Sequence, residues 1–200
     1  MSQPDASGVA GGFPRLAKAI HWLTAVGVIG LILLGWYMTD LPLSPLKFQL
    51  YMWHKEIGVL IFGLTVARLV YWRFATKPAP LTSHAPWEKR LSKLVHGLLY
   101  AALLGLPIAG WIASSAAGFS VSLFGVVTLP DLVAADPALK DQMTVVHWLL
   151  GWMLIASLGL HIAGALKHHV IDKDVTLRRM LPFGLRPTPT TNPVFESKET

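Results

Sequence analysis

Four long apolar runs, separated by stretches where proline and charge gather, set the pattern of this chain. The runs cover about residues 19–39, 50–72, 94–115 and 143–166. Each is close to the ~20 residues that a helix needs to cross a hydrocarbon core about 30 Å thick. The first carries no charge from Ala19 to Thr39 and is longer than the roughly 7–15 apolar residues of a signal peptide, which predicts a retained span. The second is the weakest, because Lys55, Glu56 and Arg68 lie within it, and the third holds Pro107, which predicts a kink. Between the runs, Pro42 and Pro45 mark a short loop, and residues 73–93 form a basic linker with Pro78, Pro80 and Pro86. Gly118 to Pro130 is apolar but too short to span again, so an extramembrane hairpin or an interfacial segment is expected. The small, Gly-rich residues 1–12 and the Pro/Thr-rich residues 182–200 predict disordered tails around one ordered domain, 13–181. The fold class expected is an all-α membrane protein, a four-helix transmembrane bundle.

Composition agrees. Of 200 residues, 53% are hydrophobic and 14% charged, against about 25% charged in a soluble domain. Mean hydropathy is +0.51. The net charge of +6 does not point to nucleic acid, because the basic residues sit beside the apolar runs. The N-terminus, residues 68–93 and everything after Leu166 hold 14 of the 17 Lys and Arg, and Lys47, Lys55 and Lys140 hold the rest. The positive-inside rule then puts both termini in the cytoplasm. Cysteine is absent, which excludes disulfides, thiolate-bound iron–sulfur clusters and haem attached through C-x-x-C-H.

The chemistry-bearing residues are histidines inside the spans. His147 and His161 lie 14 residues apart on the fourth run, roughly 21 Å along a helix and on nearly the same face. With the topology above, His21 falls in the inner leaflet with His161, and His54 in the outer leaflet with His147. Four isolated histidines, each hydrogen-bonded to a neighbour, would not need to match two and two by depth. A bis-histidine b-type haem in each layer fits the match. Gly58 and Gly151, each four residues after an outer histidine, offer clearance for a flat group or else close helix packing. Zinc fits less well, since a structural zinc site takes four ligands. Arg68, 14 residues after His54, reaches the inner level, where it can pair with a haem propionate or snorkel to headgroups.

The segments AIHWL around His21, MWHKEIG around His54, LVHGLLY around His96, TVVHWLLGW around His147, and LHIAGALKHH followed by KDVTLRRMLP resemble the bacterial cytochrome b561 family over about residues 13–183. The resemblance implies an inner-membrane bundle with two non-covalent b haems, His21 with His161 on the cytoplasmic one and His54 with His147 on the periplasmic one. It implies a family arginine at Arg68 and a non-axial histidine at His96, which touches a propionate or is simply interfacial. It implies a quinone contact at His168; as a bland alternative, His168 and His169 are juxtamembrane cations. His84 reads as a loop residue.

Two axial imidazoles leave iron no open position, so such haems relay electrons. The function expected is transfer across the bilayer between a periplasmic donor, superoxide by resemblance, and membrane quinone such as ubiquinone, which would make the chain an oxidoreductase of the superoxide:quinone type. Lys55 and Lys140 are available to attract an anion. The expected partners are lipid, quinone and a periplasmic redox donor or protein, with no nucleic acid. Two alternatives stand beside it: a cytochrome b subunit serving a separate dehydrogenase or hydrogenase, and a haemless, His-lined metal transporter or membrane anchor.

Overall fold

A computed structural model describes residues 11–76, 78 and 85–184. Its elements are α1 (Arg15–Asp40), α2 (Pro45–Phe74), α3 (Pro86–Ala116), a two-stranded antiparallel hairpin of β1 (Ser122–Leu123) and β2 (Val127–Thr128), α4 (Pro137–Val170) and the short α5 (Thr176–Met180). α1 to α4 are long and apolar enough to cross a membrane. Each contains one of the apolar runs and extends beyond it at both ends. The apolar connection after α3 closes as a hairpin.

The helix starts follow from local chemistry. Pro45, Pro86 and Pro137 open α2, α3 and α4, where a missing N–H costs nothing. Ser44 Oγ accepts from Lys47 N at 3.3 Å, and Asp136 Oδ1 accepts from Ala138 N at 2.9 Å and Leu139 N at 3.1 Å. The Glu88 carboxylate accepts from Ala85 N at 2.9 Å. α3 runs on through Pro107.

α3 packs along α4, α1 along α2, and α2 against α3. The buried core sits halfway along the bundle and takes one residue from each helix: Val28, Ile61, Ala102 and Leu154. Small residues let the helices close: a Cβ on Gly27 would lie 2.5 Å from Ile61 Cδ1, and one on Gly105 would lie 3.0 Å from Leu150 Cδ1. Thr24 and Thr65 return their hydroxyls to the carbonyls of Ile20 and Ile61, so these buried polar groups are satisfied within their own helices.

The core divides the bundle into two ends. Both ends of the described chain meet at the tail end. There Phe13 N donates to Arg179 O at 3.1 Å, Arg179 Nε donates to Gly11 O at 2.9 Å, and Trp22 Nε1 donates to Met180 O at 2.9 Å. Gly11 and Gly12, expected in the N-terminal tail, are therefore tied to α5; the rest of that tail, residues 185–200 and His84 lie outside the described residues. Burial lowers the pKa of Arg179. The opposite, hairpin end carries the α1–α2 and α3–α4 connections.

Candidate functional site

At the hairpin end, His54 of α2 and His147 of α4 face each other with ring centres 6.2 Å apart and planes at 63°. His147 Nδ1 lies 3.0 Å from Leu106 O. A carbonyl only accepts, so Nδ1 carries the proton and Nε2 keeps its lone pair, the state a metal ligand requires. His54 Nδ1 is buried with no hydrogen-bond partner among the described residues. Glycines make room for these rings: a Cβ on Gly110 would lie 3.3 Å from His147 Nδ1, and one on Gly35 would lie 3.5 Å from His54 Cε1. Gly58 and Gly151, singled out from sequence, touch neither ring. An added Cβ at either meets nothing within 4 Å among the described residues, so the space beside them is open.

At the tail end, His21 of α1 and His161 of α4 face each other at the same ring separation, 6.2 Å, with planes at 65°. A third histidine, His96 of α3, sets its ring edge-on to His161 at 5.1 Å, and its Nδ1 donates to Ser92 O at 2.6 Å. Arg68 neither points to the surface nor stands alone. Its Nη1 is 2.9 Å from His21 Nδ1, its guanidinium lies 6.0 Å from the centre of the Tyr100 ring, and its Nε is buried. Guanidinium only donates, so His21 Nδ1 accepts here, the reverse of the His147 tautomer. A metal bond at His21 Nε2 needs the proton on Nδ1, and Arg68 must then turn to another acceptor.

The chain matches the family model described as "Prokaryotic cytochrome b561" over residues 12–183. The chain belongs to the prokaryotic cytochrome b561 family. It is 34% identical over 167 residues to "Cytochrome b561 homolog 2" of Escherichia coli (strain K12), which covers 83% of this chain and 89% of that one. It is 32% identical over 171 residues to "Probable superoxide oxidase CybB" of Yersinia pestis, covering 84% and 94%. It is 29% identical over 177 residues to "Cytochrome b561 homolog 1" of Escherichia coli (strain K12), covering 85% and 97%. As a family member, the protein is a multi-pass membrane cytochrome b that binds haem and transfers electrons. Family membership displaces the haemless reading.

One feature of this b561 bundle fits a haem between each pair of histidines, and a second fits the hairpin-end pair. A metal–imidazole bond of about 2.0–2.1 Å, plus roughly 1 Å from ring nitrogen to ring centre, puts opposed rings about 6–6.5 Å apart, and both pairs stand at 6.2 Å. The space beside Gly58 and Gly151 is open.

Beyond the histidine layers, this cytochrome carries a charged network at the tail end that the sequence reading missed. His168 Nδ1 lies 2.8 Å from Asp172 Oδ2 and 3.1 Å from Asp174 Oδ2. Lys167 bridges Glu88 of α3 and Asp172. Glu88, His168 and Asp172 are close enough to hold a cation, but the Lys167 ammonium already sits among those oxygens. The signal was the DKD run that starts three residues after His169. His169 itself is exposed. The two lysines offered as anion attractors are engaged: Lys140 pairs with Asp141 at 2.8 Å, and Lys55 Nζ donates to Ser114 Oγ at 2.7 Å.

Proposed function

We propose that this cytochrome holds two b haems, one between His54 and His147 and one between His21 and His161, and relays electrons between a donor at the hairpin end and quinone at the tail end. The observation that carries the reading is the repeated spacing: two opposed imidazole pairs, each 6.2 Å between ring centres, one on either side of the apolar core. Each haem would be held by the two imidazoles of its pair, and would then serve to relay electrons rather than to bind substrate. When bound, haem supplies a reversible one-electron couple at each level. The residues around it position and polarise. Leu106 O holds the His147 tautomer, Arg68 is free to turn from His21 to a propionate, and the core between the layers keeps water out.

The charge distribution supports cytoplasmic termini in an inner membrane, so the hairpin end is periplasmic. Superoxide is the donor we propose, because one relative at 32% identity is called a probable superoxide oxidase. His168 is the quinone contact we propose. It lies seven residues beyond His161, about two turns and roughly 10 Å along the same face of α4, within reach of an electron leaving the tail-end haem. The Asp172 and Asp174 carboxylates at its Nδ1 fix the orientation of the ring.

The test is haem quantification with spectra on purified variants. His21→Ala and His161→Ala should each lose the same one of two haems, and His54→Ala and His147→Ala the other. Loss of one haem by both His21→Ala and His54→Ala refutes the pairing. The isolated chain should reduce quinone with superoxide; activity appearing only with a dehydrogenase bound would favour a subunit role.

A further inference from the structure

From Leu94 to Pro130 there is not one Asp, Glu, Lys or Arg. The other segments at the hairpin end carry charge where they leave the apolar region: Asp40 at the end of α1 and Lys47 in the first turn of α2, Asp136, Lys140 and Asp141 at the start of α4. The hairpin alone continues the polarity of its span.

Its base and its tip are built in opposite ways. At the base, Ser114 Oγ donates to Phe119 O at 2.5 Å, Leu129 N to Val121 O at 2.8 Å, Leu132 N to Ser115 Oγ at 3.2 Å and Trp111 Nε1 to Pro130 O at 3.1 Å. At the tip the side chains are apolar and bare: Phe124 is 60% exposed, and Val126 is 84% exposed. The turn closes with Val126 N donating to Leu123 O at 2.9 Å. It has φ 51° at Phe124 and φ 70° at Gly125. Two adjacent left-handed residues make a type I′ hairpin turn, whose first central position suits Asn, Asp or Gly. Phenylalanine there accepts backbone strain and turns an aromatic ring outward. The strained peptide is also held: Phe124 N donates 2.9 Å to Glu56 Oε1, and Glu56, on α2 two residues from His54, is only 4% exposed.

We propose that the tip of this hairpin, Phe124, Val126 and Val127, is a lipid anchor. It seats in the interfacial layer of the bilayer and, through Glu56 and Ser114, sets the depth of the His54–His147 site. Apolar side chains such as Phe bury at the headgroup–acyl boundary, and an uncharged segment enters it without desolvating an ion. The occupant is lipid because the patch continues the lipid-facing composition of α3 and offers no charge with which a protein partner could set register. Glu56 transmits the anchoring, since it joins the turn to the helix that bears His54.

The absence of native cysteine makes the test direct. Val126→Cys, with Ala134→Cys in the exposed following loop as control, is labelled with a polarity-sensitive fluorophore in the haem-loaded full chain. Each is placed in nanodiscs of phosphatidylcholine and phosphatidylglycerol. The Val126 label should emit to the blue of the Ala134 label. It should be quenched several-fold more by nitroxide-bearing lipid than by aqueous iodide, with the order reversed at Ala134. Equal iodide access at the two sites overturns the proposal. So does protection of Val126 in native membranes that is lost in pure lipid, because that assigns the patch to a protein. Adding Phe124→Gly, which keeps the turn, should raise iodide access at Val126 several-fold with haem content unchanged; no rise removes Phe124 from the anchor.

Discussion

The two histidine layers share one spacing and differ in almost everything else. At the hairpin end, the pair sits among glycines and a backbone carbonyl, with His147 Nδ1–H given to Leu106 O. At the tail end, the pair has a third histidine against it and a guanidinium at hydrogen-bond distance. On the two-haem reading, equal spacing lets the layers accept the same kind of group, and unequal surroundings make them hold electrons unequally. An imidazole that donates to a carbonyl is a more basic ligand and favours the oxidised metal, whereas a nearby cation favours the added electron. With a haem in each layer as proposed, the comparison predicts a lower potential at the hairpin end and a higher one at the tail end, with electrons running toward His168.

The largest effect expected is on the glycine side. Gly110→Val crowds His147 and should remove the hairpin-end haem while sparing the other. Haem per chain, measured after purification, should fall by half. Gly27→Val is the control, because overpacking against Ile61 should cost about 1–3 kcal/mol of stability with no preference for either layer. A thermal melt of the two variants beside their spectra separates the cases. Next, His168→Ala should keep both haems and slow quinone reduction about tenfold, the loss of one charged hydrogen-bond contact at the low end of its range. Unchanged quinone kinetics would reject the role. Arg68→Leu should lower the potential of the tail-end haem by about 60 mV, the one-electron equivalent of a tenfold change, and leave the hairpin-end haem in place; spectropotentiometry reads both. The smallest effect is at His96. His96→Ala should retain both haems and shift only the tail-end bands slightly, whereas loss of a haem would make His96 a ligand in place of His21 or His161.

Arg68 and Lys55 show where reading the chain in one dimension stops. Arg68 was expected at a propionate or at the headgroups, and it lies against His21. Lys55 was expected to be open to anions, and it bonds Ser114. Both residues were correctly assigned to a helix and a depth. What neither position revealed was which neighbouring helix the side chain meets. The glycines behave likewise. Gly58 and Gly151 were chosen because each lies four residues after an outer histidine, yet Gly35 of α1 and Gly110 of α3 are the ones that touch the outer rings.

What the amino-acid order determined alone is everything that depends on distance along one helix. Four spans follow from run length and charge, and the two histidines of α4 fall on one face because fourteen steps nearly close a whole number of turns. Only the tertiary structure decided which ring His96 touches, that Arg68 reaches His21, and that a carboxylate of α2 holds the turn of a hairpin sixty-eight residues away. Those contacts depend on how each helix is rotated about its axis and slid against its neighbours, and side-chain packing across all four helices sets both together.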